Sequence, residues 1–236
     1  MAGARAQAVV DEGVLRQRLM NAGIQLGLTL TDEHLDRLLA YLALLRRWNR
    51  IHNLTALRHP DDMLSHHLAD CLATLPSLRR HADGLGLVGL RLRVLDVGSG
   101  GGLPGVVLAI MQAELQVEWQ VTCVDAVVKK ASFIRQVGIE LGLRNLLAVH
   151  SRVEALPNDE AFDLITSRAY ASLADFVTLT QRLLAAQGVW VAMKGKPPAD
   201  EIAKLPLAVE MFHVEPLQVP GLNAQRCLVW MRARPG

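Results

Sequence analysis

The sequence predicts an α/β protein: a doubly wound, mostly parallel, Rossmann-like sheet that ends in an antiparallel hairpin and is preceded by a helical piece. Three observations carry this. Short β-branched runs alternate with helical windows through the second half of the chain, the pattern of parallel strands joined by right-handed crossovers. The first such run passes through an acid into a glycine loop and a helix start, Val94-Leu95-Asp96-Val97-Gly98-Ser99-Gly100-Gly101-Gly102-Leu103-Pro104-Gly105. Ahead of it, apolar residues recur only at helical spacing.

In the front piece, Leu35, Leu38, Leu39, Leu42 and Leu45 follow the i, i+3, i+4, i+7 rule, with Thr31 as cap and Asp32 in the first turn. A second helix is expected from about Asp61 to Thr74. His81 to Gly89 holds three glycines and no clean period, so it reads as a connection and divides the chain into residues 1–80 and 81–236. Strands are then expected at Arg93 to Val97, Gln120 to Val124, Leu146 to His150, Phe162 to Thr166 and Val189 to Met193. The helices between them fall near Pro104 to Ala113, Lys129 to Leu141 and Leu173 to Leu184. Val209 to Val214 and Cys227 to Met231 are joined by Pro216 to Gln225, too short and too turn-rich for a crossover helix, and are expected to form an antiparallel hairpin at one edge.

With 236 residues and 51% hydrophobic content the chain can bury an ordinary core. Its unbroken apolar stretches, Val106 to Met111 among them, are far short of the roughly 20 residues that span a bilayer, and Met1 to Val10 lacks the apolar centre of a signal peptide. A cytosolic protein is expected. Three widely spaced cysteines, Cys71, Cys123 and Cys227, give neither a disulfide framework nor a zinc site, and no metal is expected; they read as small buried hydrophobes. The net charge is only +2, so affinity for nucleic acid must come from a local patch. Residues 1–60 supply one, with eight arginines against five acids.

The match to GxGxxG at Gly100, Gly102 and Gly105 fits several nucleotides by itself. The acids discriminate better. Asp96 precedes the glycines, where it favours a ligand carrying an ammonium and a sulfonium over a pyrophosphate. Asp125 ends the second strand, where a carboxylate accepts from both ribose hydroxyls. Together they point to S-adenosylmethionine rather than a nicotinamide, and neither Tyr41 nor Tyr170 has the Tyr-x-x-x-Lys context of an oxidoreductase. Val153 and Glu154 follow the third strand, where an apolar contact and a polar group can bracket an adenine, or form an ordinary turn. Arg168 ends the fourth strand at the rim of the crevice, and Lys194 ends the fifth, either meeting RNA phosphate or simply solvated.

Trp48-Asn49-Arg50-Ile51-His52-Asn53-Leu54-Thr55, His67-Leu68-Ala69-Asp70, the glycine loop, Ser151-Arg152-Val153-Glu154 and Ser167-Arg168-Ala169 follow one another in the chain, and together, in this order, they resemble the RsmG (GidB) family. These are bacterial methyltransferases acting on guanine N7 in 16S ribosomal RNA. The resemblance runs from about Leu35 to the C-terminus. It implies a seven-stranded methyltransferase sheet, S-adenosyl-L-methionine as cofactor, and cofactor contacts at Gly98, Leu103, Asp125, Val153, Glu154 and Arg168. It also implies 16S ribosomal RNA or the small ribosomal subunit as partner, with no membrane; a monomer is expected. The chain departs from the family pattern at Gly101, where Ala or Pro is usual, at Cys71, where Ser is common, and in the segment before Asp125, which is a few residues longer.

The front cluster of Arg46, Arg47, Trp48, Asn49, Arg50, His52, Asn53, Arg58 and His59 reads as arginines facing RNA with Trp48 tucked into the seam. His66 and His67, about 100° apart on a helix, read as packing or capping residues. No catalytic side chain is expected: guanine N7 is unprotonated at neutral pH and needs no general base. No Asn/Asp-Pro-Pro-aromatic tetrapeptide follows the fourth strand, and no cysteine stands there to attack a pyrimidine. A methyltransferase of a protein or small molecule, and a non-catalytic donor sensor that binds RNA, remain open at this stage.

Overall fold

The computed structural model describes residues 11–84, 86, 89–115, 118–159 and 161–234. The first ten residues, read above for a targeting signal, and part of the glycine-rich connection before residue 90 lie outside the described residues.

Capping and a leucine face make the front of the chain helical. The Asp11 carboxylate accepts the Gly13 N–H and opens α1 (Glu12–Gln25). For α2 (Asp32–His52), the Thr31 hydroxyl accepts the His34 N–H while His34 Nδ1 accepts the Thr31 N–H, a reciprocal cap at the expected position. Its Leu35, Leu38, Leu42 and Leu45 are buried, and Asn53 ends it in the left-handed region at φ 50°. Next, α3 (Pro60–Met63) runs through a π-helical stretch, Leu64–Ala69, into α4 (Asp70–Leu72), where the sequence had suggested one regular helix. Then α5 (Leu75–Gly84) takes in His81 to Gly84, assigned above to the connection. Burial of Leu75, Leu78 and Ala82 along one face explains the extra turns.

The sheet follows as β1 (Arg91–Val97), α6 (Gly105–Ile110), α7 (Gln112–Leu115), β2 (Glu118–Asp125), α8 (Val128–Glu140) and β3 (Leu146–His150). It continues with β4 (Phe162–Arg168), α9 (Leu173–Thr180), β5 (Leu184–Lys194), α10 (Ala199–Ile202), β6 (Val209–Leu217) and β7 (Arg226–Ala233). Seven strands lie in the order β3-β2-β1-β4-β5-β7-β6. The first five are parallel, and β7 is antiparallel to both β5 and β6. The expected hairpin therefore forms, with β7 inside and β6 at the edge. Sequence dictates that order: Cys227 to Met231 is an unbroken buried run, whereas β6 mixes buried and exposed residues. The expected helix to Leu184 stops at Thr180, a 3₁₀ turn takes Gln181–Leu183, and β5 begins at Leu184.

One apolar cluster joins Leu38, Leu42 and Leu45 of α2 to Val106 and Ile110 of α6 and Phe133 and Ile134 of α8. The opposite face packs Leu95, Ile165, Phe176 and Trp190 with α9. Cys71, Cys123 and Cys227 are all buried and free, small apolar members of the interior. No helix of the described residues is long and apolar enough to cross a membrane. The strand order reverses between β1 and β4, and their carboxyl ends open the crevice that positions the site.

On the α9 face the Trp190 indole N–H donates to Thr180 Oγ1 at 2.8 Å, with both residues buried. Thr180→Val keeps the shape but strands that donor, and should lower unfolding free energy by about 1–3 kcal/mol in urea titrations. An unchanged midpoint would show that the bond contributes nothing.

Candidate functional site

The turn from β1 to α6 is held by two carboxylates. Asp96, fully buried, accepts the Gly105 N–H on Oδ2 at 2.9 Å and so ties the start of α6 to the end of β1. Gly105 must be glycine, because a Cβ there would stand 2.8 Å from that same oxygen. Asp96 Oδ1 has no partner among the described residues, and burial raises the carboxyl pKa to about 6, against the opposing pull of the Gly105 and Ser99 hydrogen bonds. This acid lines neither cavity described below. Asp96, read from the sequence as favouring a cationic donor, is fully buried here and holds the turn through the Gly105 N–H.

Asp125, at the end of β2, grips the loop from the other side. Its Oδ2 accepts the Gly100 N–H at 2.9 Å and its Oδ1 the Val127 N–H at 2.8 Å, with Lys130 Nζ 3.7 Å away. Each oxygen retains acceptor capacity for a ligand hydroxyl. Gly98 and Ser99 N–H both reach Val124 O, at 2.9 and 3.2 Å. From the helical front, the buried Tyr41 hydroxyl donates to Gly101 O at 2.6 Å.

Two cavities flank this loop and meet at Gly98. The first, about 100 Å³, is lined by Gly98, Asp125, Val153, Glu154 and Tyr170. The second, about 200 Å³, is lined by Thr55, His67, Gly98, Gly100, Gly101, Leu103, Lys130 and Arg168, among others. Gly98 has φ +65°, and a Cβ there would run into the Tyr170 ring, so glycine is required for both its conformation and its clearance. Four of the six residues singled out in the sequence thus share one cavity, while Leu103 and Arg168 stand in its neighbour.

Arg168 is clamped. Nη1 donates to His66 O at 2.8 Å and to Asp70 Oδ2 at 3.2 Å, and Nη2 lies 3.3 Å from His67 Nδ1. Asp70, buried, also accepts Arg226 Nε at 2.9 Å, so one carboxylate is shared by two guanidinium groups. His67 Nε2 lies 2.9 Å from Thr55 Oγ1. Nδ1 also stands 3.1 Å from the His66 carbonyl oxygen, so it accepts from Arg168 in one tautomer of the neutral ring and donates to that carbonyl in the other. Burial first and the Arg168 charge second lower the His67 pKa to about 4. Sequence reasoning missed Thr55, His67 and Asp70 as parts of the site, although all three sit in motifs quoted above; Tyr41 and Tyr170 carry no local signal. Lys194, expected to meet RNA phosphate or to be solvated, is partly buried and engaged within the fold: its Nζ donates to Glu201 Oε2 at 2.8 Å and to Ala171 O at 3.1 Å. Trp48 tucks into the seam as expected, its ring 5.5 Å from that of Phe133.

Fold and site together define a seven-stranded, doubly wound protein of the methyltransferase type. Similar folds occur in TrmN from Thermus thermophilus (TM-score 0.52, 19% identity, 72% of this chain and 53% of that one). They occur also in the B. subtilis tRNA methyltransferase TrmK (TM-score 0.50, 10% identity, 68% and 65%). The family described as rRNA small subunit methyltransferase G, or GidB, matches residues 34–229, and the chain belongs to it. Ribosomal RNA small subunit methyltransferase G of Paracidovorax citrulli is 53% identical over 224 residues, 92% of this chain and 90% of its own length. That of Methylibium petroleiphilum is 53% identical over 227 residues, 96% and 98%.

The buried neutral His67 gives stability a definite pH dependence. The unfolded chain takes up this proton near pH 6.5 and the native state only near 4, so the unfolded state binds more protons in between. The contribution is complete above pH 6.5 and is lost as pH falls toward 4. Between pH 7.5 and pH 5 it amounts to about 2 kcal/mol. Urea titrations should show the parent chain losing about that much more than His67→Gln over this interval; equal losses would mean His67 titrates normally.

Proposed function

We propose that this protein transfers a methyl group from S-adenosyl-L-methionine to N7 of a guanine in 16S ribosomal RNA, in the cytoplasm. The observation that carries the reading, beyond family membership, is the pair of cavities meeting at Gly98 over a carboxylate-held glycine loop at the switch point of the sheet. The residues present fit the donor. Asp125 offers acceptors to ribose hydroxyls, Val153 and the Tyr170 ring offer apolar surface to a purine with Glu154 at its edge, and the Arg168 guanidinium suits a carboxylate. Gly98 allows backbone to approach where the two cavities join, and Leu103 gives the second an apolar wall.

When bound, the donor supplies a methyl group activated by a sulfonium. The demand on the protein is then positional, and orientation can contribute roughly 7–11 kcal/mol of such a barrier. This chain meets it by rigidity: both Asp125 oxygens are fixed by backbone N–H groups, and Arg168 is held at three points. No side chain is assigned to proton transfer, because the in-plane N7 lone pair is free at neutral pH. A base must leave its stack to reach the second cavity. The division into a front piece, residues 1–80, facing RNA, and a donor-binding part, residues 81–236, belongs to the same reading.

Incubation with labelled S-adenosylmethionine and small subunits from a strain lacking this activity should place label in 16S RNA, with N7-methylguanine found by mass spectrometry. Label in protein or metabolites and none in RNA would reject the reading. Asp125→Ala removes a charged acceptor and should weaken donor binding roughly ten- to a hundred-fold by titration calorimetry. Unchanged affinity would remove Asp125 from the donor site.

A further inference from the structure

A groove of about 510 Å³ runs along the last turns of α2 and is lined by Arg46, Arg47, Asn49, Arg50, Arg58 and His59, among others. The donor site uses none of them. Their charge is barely compensated: Arg47 reaches Glu140 at 3.3 Å, and Arg58 is engaged with neutral groups, Asn49 O at 3.0 Å and Asn53 Oδ1 at 2.6 Å. Arg46 and Arg50 form no ion pair or hydrogen bond among the described residues. Guanidinium groups held in a groove without carboxylates present forked donors suited to phosphate oxygens.

The groove and the second cavity share a wall. Asn49, fully buried, donates from Nδ2 to Leu57 O at 2.8 Å and accepts the Thr55 N–H on Oδ1 at 2.9 Å, folding residues 54–59 around itself. Leu54 and Thr55 of that loop face the second cavity, and Arg58 and His59 face the groove. On α2 the same division falls between adjacent residues: Leu45 lines the cavity and Arg46 the groove. A polynucleotide that presents one base to the cavity must lay its flanking phosphates beside it, across this wall.

We infer that the arginine groove seats the phosphodiester backbone flanking the target base, as an RNA-binding site separate from the donor site. The inference rests on the proposed function for the identity of its partner. Trp48 and His52, which the sequence grouped with these arginines, are excluded, since their rings pack against each other, tilted by 41° with centroids 5.0 Å apart, and do not line the groove.

The test is filter binding of a 16S RNA fragment across a KCl series, with donor affinity measured separately by calorimetry. Arg46→Glu with Arg50→Glu should weaken RNA binding at least about ten-fold and reduce the slope of log affinity against log salt by about 1.4–1.8, at 0.7–0.9 per lost phosphate contact. Donor affinity should stay within about two-fold, and Arg46→Lys with Arg50→Lys should keep most of the slope. Unchanged RNA affinity and slope would overturn the inference, as would an equal fall in both affinities or equally effective competition by polyglutamate of matched charge. A parent chain that binds RNA through the groove but transfers no methyl to it would sink the proposed function and leave the groove standing.

Discussion

Backbone N–H groups of the β1–α6 turn bonded to two carboxylates are the constraint on which the rest of the site depends. Asp96 holds Gly105 from within the core, and Asp125 holds Gly100 from the rim of the crevice. Hydrogen bonds to a charged acceptor contribute roughly 1.5–3 kcal/mol each. The loop therefore has its shape set by the protein, and a ligand entering at Gly98 need not order it. The cost is visible at Asp96, whose second oxygen is buried without a partner among the described residues and whose pKa is raised to about 6.

The helical front completes the site rather than merely covering it. Tyr41 fixes the Gly101 carbonyl, Leu45 and Leu54 wall the second cavity, and the π-helical stretch aims the His66 carbonyl and His67 Nδ1 at Arg168. A regular helix over the same residues would set these groups at a different angle, and π turns are frequent at functional sites. Asn49 then makes one loop serve two surfaces, the second cavity on one side and the arginine groove on the other.

Electrostatics divides the two ends of the molecule's chemistry. Near the glycine loop the buried charges are balanced locally, with Asp70 between Arg168 and Arg226 and Lys130 near Asp125. Breaking such a buried set by removing one member leaves an uncompensated charge, which is far more costly than losing an exposed pair. In the groove the arginines are exposed or half-exposed and largely uncompensated. The first arrangement fixes geometry, and the second supplies attraction that salt can screen.

The sequence by itself determined the alternation of strands and helices, the glycine loop, the antiparallel hairpin and the acids ending β1 and β2, because each is written in local period, turn chemistry or residue type. It could also mark Arg168 as a strand-end residue at the crevice. Tertiary structure alone decided that Asp96 is fully buried while Asp125 stays at the rim, since the two differ only in what packs over them. It decided that Lys194 is committed to Glu201 and Ala171, that Asp70 serves two arginines 98 and 156 residues away, and that Tyr41 and Tyr170 reach the loop at all. Those contacts join elements far apart in the chain, and no periodicity along a sequence encodes which distant side chains a packed core will bring within a few ångströms of each other.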